Sequence, residues 1–216
     1  MIHKTAIISK TAIIEDNVEI GPYSVIGPNV KISNNTKIHS HVNIVGNTSI
    51  GSENEIFPFA SIGTPPQDLK YKGEKNSLII GNNNKFREYV NINPGTQQGG
   101  SITKIGNNNL FMVGSHIGHD CKLGNNLVIA NNAAIAGHCI FDDDVVIGGN
   151  SAVLQFTKIG KGAMIGGMTG VDRDVLPYTV VKGNRSYFEN INLIGLKRKG
   201  FKNNEIEDYK RIIQNL

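Results

Sequence analysis

Ile105-Gly106-Asn107-Asn108-Asn109-Leu110-Phe111-Met112-Val113-Gly114-Ser115-His116-Ile117-Gly118-His119-Asp120-Cys121-Lys122-Leu123 opens the stretch that decides the fold, which continues to Val171. Along it Ile105, Phe111, Ile117, Leu123, Ile129, Ile135, Phe141, Ile147, Val153, Ile159, Ile165 and Val171 recur at a fixed spacing of six. A helix repeats every 3.6 residues and a half-buried strand every two, so a strict period of six belongs to a solenoid. The unit is a short strand followed by a turn, three times per coil, with the apolar residues filling a triangular core. Four residues after most apolar positions stands a small or β-branched side chain: Ser115, Cys121, Ala133, Cys139, Ser151, Thr157, Ala163 and Thr169. These small slots let the backbone bend beside the core.

The same register opens the chain, where Ile2, Ile8, Ile14, Ile20, Ile26, Ile32, Ile38, Ile44, Ile50, Ile56 and Ile62 keep the spacing of six. It lapses over 63–79, resumes at Ile80, Phe86 and Ile92, and lapses again over 94–104. Each lapse reads as a loop thrown out from a coil. Loops are where a rigid scaffold carries function, so a site is expected beside them. At three apolar positions per coil and the inter-strand spacing, the prism stands roughly 40 Å tall. Past Val171 the pattern fades. The capping box of Ser186 and Glu189, with Gly200 as a stop, predicts a helix over 186–199. A second is expected over 205–216, with Asn204 as its cap and Ile206, Tyr209, Ile213 and Leu216 on one face. The organisation expected is an all-β solenoid over 1–183 and a short α-helical region over 184–216.

Composition agrees with a narrow core: 39% of the 216 residues are hydrophobic, but only 6% are aromatic and none is Trp. Twenty-five glycines fit many tight turns. No apolar run reaches the length of a membrane span, and Met1-Ile2-His3-Lys4 begins no signal peptide. A cytoplasmic protein without an integral membrane segment is expected. Cys121 and Cys139 lie 18 residues apart in the same slot; in a reducing compartment they are expected as two buried thiols. The formal charge of +4 points at most weakly to an acidic partner, and no nucleic acid is expected.

The candidate chemistry is densest at Ser115-His116-Ile117-Gly118-His119-Asp120-Cys121, followed nearly one coil later by Gly137-His138. With 18 residues per coil, His119 lies beneath Gly137 and Asp120 beneath His138. A carboxylate beside an imidazole favours its protonated or oriented form. A glycine over a histidine leaves room for a substrate and brings a backbone N–H to a developing oxyanion. Two other readings stay open from the residues alone: solvated side chains that happen to be near one another, or a histidine metal site.

Several strings carry a family resemblance: Phe59-Ala60-Ser61-Ile62-Gly63, Gln67-Asp68-Leu69-Lys70-Tyr71, His116-Ile117-Gly118-His119-Asp120-Cys121, Ala130-Asn131-Asn132-Ala133, Ala136-Gly137-His138 and Gly195-Leu196-Lys197-Arg198-Lys199-Gly200-Phe201. The chain resembles the hexapeptide-repeat acyltransferases, and among them the UDP-N-acetylglucosamine O-acyltransferase family that opens lipid A synthesis. The resemblance implies a left-handed parallel β-helix, a homotrimer with sites between subunits, no cofactor and no metal. It implies transfer of a 3-hydroxyacyl chain from acyl carrier protein to UDP-N-acetylglucosamine. By position, His119 matches the general base, Asp120 its holder and Gly137 the oxyanion donor. Asp68, Lys70, His116 and His138 match residues of the sugar and phosphate pocket, Gln155 another substrate contact, and Asn192 and Arg198 the nucleotide end. Gly167 matches the position that measures acyl chain length, and Lys197-Arg198-Lys199 suits an acidic carrier protein. The chain departs from the family at Asn93-Pro94, where His-Arg is common, at Leu154 before Gln155-Phe156, and at Ile194. The first departure leaves the acceptor open between a 3-hydroxyl and a 3-amino group. The rivals are a metal-dependent hydratase resembling γ-class carbonic anhydrases, and a repeat scaffold that binds without turnover.

Overall fold

A computed structural model describes residues 1–185 and 187–214. Most hexapeptides form a strand of two residues whose second side chain points inward. At Val25–Ile26 the valine is half-buried and the isoleucine 1% exposed. The chain visits three faces in turn, building sheets of nine, eight and ten strands, parallel throughout except for the last strand of the ten. Ile117 pairs with Ile92 on one side and Ile135 on the other, so like positions stack rung upon rung. The result is the left-handed parallel β-helix. One apolar cluster runs the length of the prism from Val18 to Val181, with Phe86 and Phe111 stacked at 4.9 Å in its middle. Ile2 belongs to the repeat but is 50% exposed, because the first coil has no rung beyond it.

The corners turn through left-handed backbone, which asparagine tolerates better than most residues. Asn17, Asn35, Asn108 and Asn126 all have φ of 57° or 58°. At this same corner the small slot that follows is filled, on three successive rungs, by buried Asn54, Asn84 and Asn109. Their amides form a ladder: Asn84 N–H donates to Asn54 Oδ1 at 2.9 Å, Asn109 N–H to Asn84 Oδ1 at 2.9 Å, and Leu127 N–H to Asn109 Oδ1 at 2.7 Å.

Both excursions are shorter than the sequence pattern suggests. Ser77–Ile80 and Ile102–Ile105 are four-residue strands that pair along their whole length. The excursions therefore end at residues 76 and 101, where pairing gives buried backbone groups their partners. Both leave the corner between the first two faces, and on adjacent rungs, since Ile62 pairs with Ile92. The corner carrying His119 and Asp120 is on the next rung, because Ile92 pairs with Ile117.

The helix expected over 186–199 is mostly not a helix. Tyr187–Ile191 is a strand antiparallel to Thr179–Lys182, and helix α1 covers only Leu193–Arg198. The last rung leaves an open sheet edge whose hydrogen-bonding groups need partners, and the returning strand supplies them. Asn192 caps α1, its Oδ1 accepting from Gly195 N–H at 2.9 Å. Helix α2 runs Asn203–Gln214, so Asn204 lies inside it rather than at its cap. Ser186 of the expected capping box, and Leu216, lie outside the described residues.

Candidate active site

His119 and Asp120 occupy a corner between the first and second faces, 7% and 4% exposed. Asp120 takes a left-handed backbone angle, φ 61°, and its carboxylate folds back against its neighbour. His119 Nδ1 lies 2.8 Å from Asp120 Oδ2. With the carboxylate as acceptor, Nδ1 carries the proton and Nε2 keeps its lone pair. On the rung above, Gly137 faces the ring. A Cβ there would come within 2.6 to 3.0 Å of three ring atoms of His119, so the open face of the imidazole depends on a residue without one. His138 sits beside them, edge-on to His119 at 4.9 Å and stacked on Phe156 at 4.4 Å. Its Nε2 is 3.8 Å from Asp120 Oδ2.

A cavity of about 820 Å³ opens from this corner along the first face. Gln67, Asn93, His116, His119 and Gly137 line one end; Ala134, Ala152, Leu154 and Gly170 floor it; Asp172, Asn184 and Arg185 close the other end. The floor is shallow because the outward positions of those rungs carry Ala or Gly. One end therefore offers hydrogen bonds and a base, the rest an apolar trough. His116 is anchored by Nδ1 donating to Asn91 Oδ1 at 2.8 Å. Burial holds the His116 imidazole below its ordinary pKa, with His119 adding repulsion. His138 is lowered too, first by burial, while Asp120 opposes the shift and His119 adds to it.

The remaining sequence candidates fall in different places. Gln155 lines the main cavity. Asp68 and Lys70 border a neighbouring cavity of about 650 Å³ between the two excursions, with Glu74, Thr96 and Gln97. There Lys70 N–H donates to Asp68 Oδ1 at 2.9 Å, and the Asp68 charge is felt at His138. Asn192 and Arg198 line a third cavity of about 360 Å³ on the last face, with Asp144, Tyr178 and Ile194. The Asn192 amide is already committed, since Nδ2 donates to Gly162 O at 2.8 Å and Oδ1 caps α1. Gly167 turns the corner between the third and first faces and does not line the main cavity.

Two residues at the hydrogen-bonding end carried no role in the sequence reading. Gln67 stood in a family string, and Asn93 marked a departure from the family. Asn93 is 1% exposed; its Nδ2 donates to Thr64 O at 3.1 Å, while its Oδ1 has no partner. The metal reading also changes. The ligating atoms within 4.8 Å of one another belong to His119, Asp120 and His138, not to three histidines.

Comparison with known proteins settles the family. A sequence model described as UDP N-acetylglucosamine O-acyltransferase, domain 2, matches residues 174–216, and one for bacterial transferase hexapeptides matches 11–46 and 102–137. The UDP-N-acetylglucosamine O-acyltransferase of Aliarcobacter butzleri, named for an acyl-carrier-protein donor, is 51% identical over 215 residues, covering 100% of this chain and 83% of that one. This chain belongs to the UDP-N-acetylglucosamine O-acyltransferase family. The family member of Rickettsia bellii is 52% identical over 215 residues, 100% of this chain and 76% of its own. Among solved structures, the Acinetobacter baumannii family member LpxA superimposes with a TM-score of 0.98 at 47% identity, covering 100% of this chain and 83% of that chain. Among the described residues no helix is long and apolar enough to cross a membrane.

Proposed function

We propose that this chain transfers a 3-hydroxyacyl group from acyl carrier protein to the 3-hydroxyl of UDP-N-acetylglucosamine, the step that opens lipid A synthesis. The observation that carries the reading is the His119–Asp120 pair, 2.8 Å apart and buried, aimed at the open face of Gly137 at the head of an apolar trough. His119 Nε2 takes the proton of the sugar hydroxyl as that oxygen attacks the thioester carbonyl. The oxyanion that forms is met by the Gly137 backbone N–H. Collapse of the tetrahedral intermediate breaks the carbon–sulfur bond, and the thiolate leaves with the proton His119 holds. Asp120 remains ionised, holding the tautomer and balancing the transient imidazolium. The trough of Ala134, Ala152 and Gly170 suits an acyl chain. The relatives' names specify an O-acyltransferase, which favours the hydroxyl over the amine.

The rest of the reading follows the family. The chain acts in the cytoplasm as a homotrimer with sites between subunits, where Asp68 and Lys70 meet the sugar and phosphate, Asn192 and Arg198 the nucleotide end, and Gly167 the end of the acyl chain. Residues 1–183 form the scaffold and 184–216 the region that meets nucleotide and carrier protein. Incubating purified protein with 3-hydroxyacyl carrier protein and UDP-N-acetylglucosamine tests the proposal. The expected product is the 3-O-acyl sugar nucleotide with one equivalent of free carrier thiol; no acylated sugar would refute it. The proximity of His119, Asp120 and His138 favours a second reading, a metal-dependent hydratase. Metal analysis of the purified protein and carbon dioxide hydration assays separate the two.

A further inference from the structure

We infer that Thr96 is a positioning residue for His119: from the second excursion it clamps the Asp120 carboxylate and so fixes the orientation of the general base. The inference rests on the reading of His119 as the base. The side chain of Asp120 is fully shielded from solvent, so the charge it carries must be met by donors within the fold. Thr96 supplies most of them. Its backbone N–H reaches Asp120 Oδ1 at 2.9 Å and Oδ2 at 3.0 Å, and its hydroxyl donates to Oδ2 at 2.6 Å. His119 Nδ1 donates to that same Oδ2 at 2.8 Å. A short hydroxyl-to-carboxylate bond is among the stronger hydrogen bonds a neutral donor makes.

Two further observations show that the excursion is built onto this carboxylate. A Cβ at Gly99 would fall 2.0 Å from Asp120 Cγ, so the loop closes over the acid only because Gly99 lacks one. The loop is held in turn by the first excursion, where Asn76 Nδ2 donates to Gly95 O at 2.8 Å. From the other side Thr103 Oγ1 accepts from Asp120 N–H at 2.8 Å, fixing the backbone under the carboxylate. Asp120 thus has one permitted position, and the imidazole bound to it has one permitted tautomer. Without the Thr96 hydroxyl, Oδ2 loses its shortest donor. The carboxylate is then free to rotate, and Nε2 no longer presents its lone pair toward Gly137. Thr96 touches no reacting atom; its effect passes through Asp120 and His119.

The test compares Thr96→Val, which keeps the shape and the N–H but removes the hydroxyl, with Thr96→Ser, which restores it. Thr96→Val should lower kcat by roughly 10- to 100-fold, less than the roughly 10²- to 10⁴-fold a general base itself supplies, because the base is misoriented rather than removed. KM for both substrates should stay within about twofold, and Thr96→Ser should keep more than about half of wild-type kcat. Thr96→Ala serves if the valine variant does not fold, with thermal unfolding measured alongside. In a His119→Ala background, Thr96→Val should cause no further loss, since residues that act as a unit are non-additive. A wild-type kcat in Thr96→Val, failed rescue by serine, or a full additional loss in the His119→Ala background would each overturn the inference. Should His119→Ala itself retain wild-type activity, the base assignment fails; should only Thr96→Val do so, the base stands and the clamp falls.

Discussion

At Gly137 a single hydrogen in place of a side chain keeps one face of the His119 imidazole open. Gly137→Ala places a methyl group against His119 Cε1 and Nε2, and the ring cannot retreat because Asp120 holds Nδ1. We expect kcat to fall by roughly 10- to 100-fold, since misplacement of about 1 Å can cost that much, with the melting temperature lowered by the overpacking. Steady-state kinetics and thermal unfolding on one preparation decide it; a fully active variant would show that the ring face is not where substrate binds. His116 gives a prediction of opposite kind, in stability. Its imidazole is held below the ordinary value by burial, so folding favours the neutral form. As pH falls below about 6.5, the unfolded chain takes up a proton that the folded chain resists, and stability is lost down to the folded pKa. The melting temperature of wild type should drop more between pH 7.5 and 5.5 than that of His116→Asn. Equal slopes would mean that His116 does not contribute. Sequence spacing alone placed His119 under Gly137 and Asp120 under His138, because the repeat is a ruler. It could not place Thr96, which meets Asp120 across 24 residues through an excursion that obeys no period.

Among the elements, the asparagine ladder gives one corner of the prism a polar interior. Asn84 is wholly buried; its Oδ1 accepts from Asn109 N–H, and its Nδ2 donates to Asn54 Oδ1 and Gly106 O, both at 3.0 Å. Asn84→Ala strands Asn109 N–H and Gly106 O, and an unsatisfied buried group costs about 1–3 kcal/mol. Denaturant melts should show that loss, whereas exposed Lys122→Ala should stay within about 0.5 kcal/mol of wild type. Equal stability of the two variants would mean that water replaces the lost amide. The coils were legible because each rung repeats the same local rule. The C-terminal region was not, because its one long strand answers a non-local need. Tyr187–Ile191 pairs with the open edge at Thr179–Lys182, and no local spacing of apolar residues announces an edge waiting to be covered. Only α2, with its own amphipathic face, could be read from the sequence as a helix.

For the whole molecule, the outward residues of the prism leave surfaces suited to a second and third copy. On the first face Ala134, Ala152 and Gly170 allow close approach; on the last, Leu110, Val128 and Val146 form a half-buried apolar stripe ending in exposed Met164. Light scattering at micromolar concentration should report about three times the 23.4 kDa of one chain. A single-chain mass would remove the shared site. Association also bears on chain length, because Gly167 is outside the trough of its own subunit and could limit an acyl chain only in the trimer. Gly167→Met should then shift preference from fourteen- toward ten-carbon donors, each excluded methylene being worth about 0.8 kcal/mol when buried. An unchanged preference ratio in direct competition would place the end of the groove elsewhere. Residue, element and assembly meet at Nε2 of His119, and the most direct measurement is the turnover of His119→Ala with carrier-bound 3-hydroxyacyl donor and UDP-N-acetylglucosamine. A general base supplies roughly 10²- to 10⁴-fold, so kcat should fall by that factor while substrate binding weakens far less; a variant keeping more than about a third of wild-type turnover would contradict the assignment.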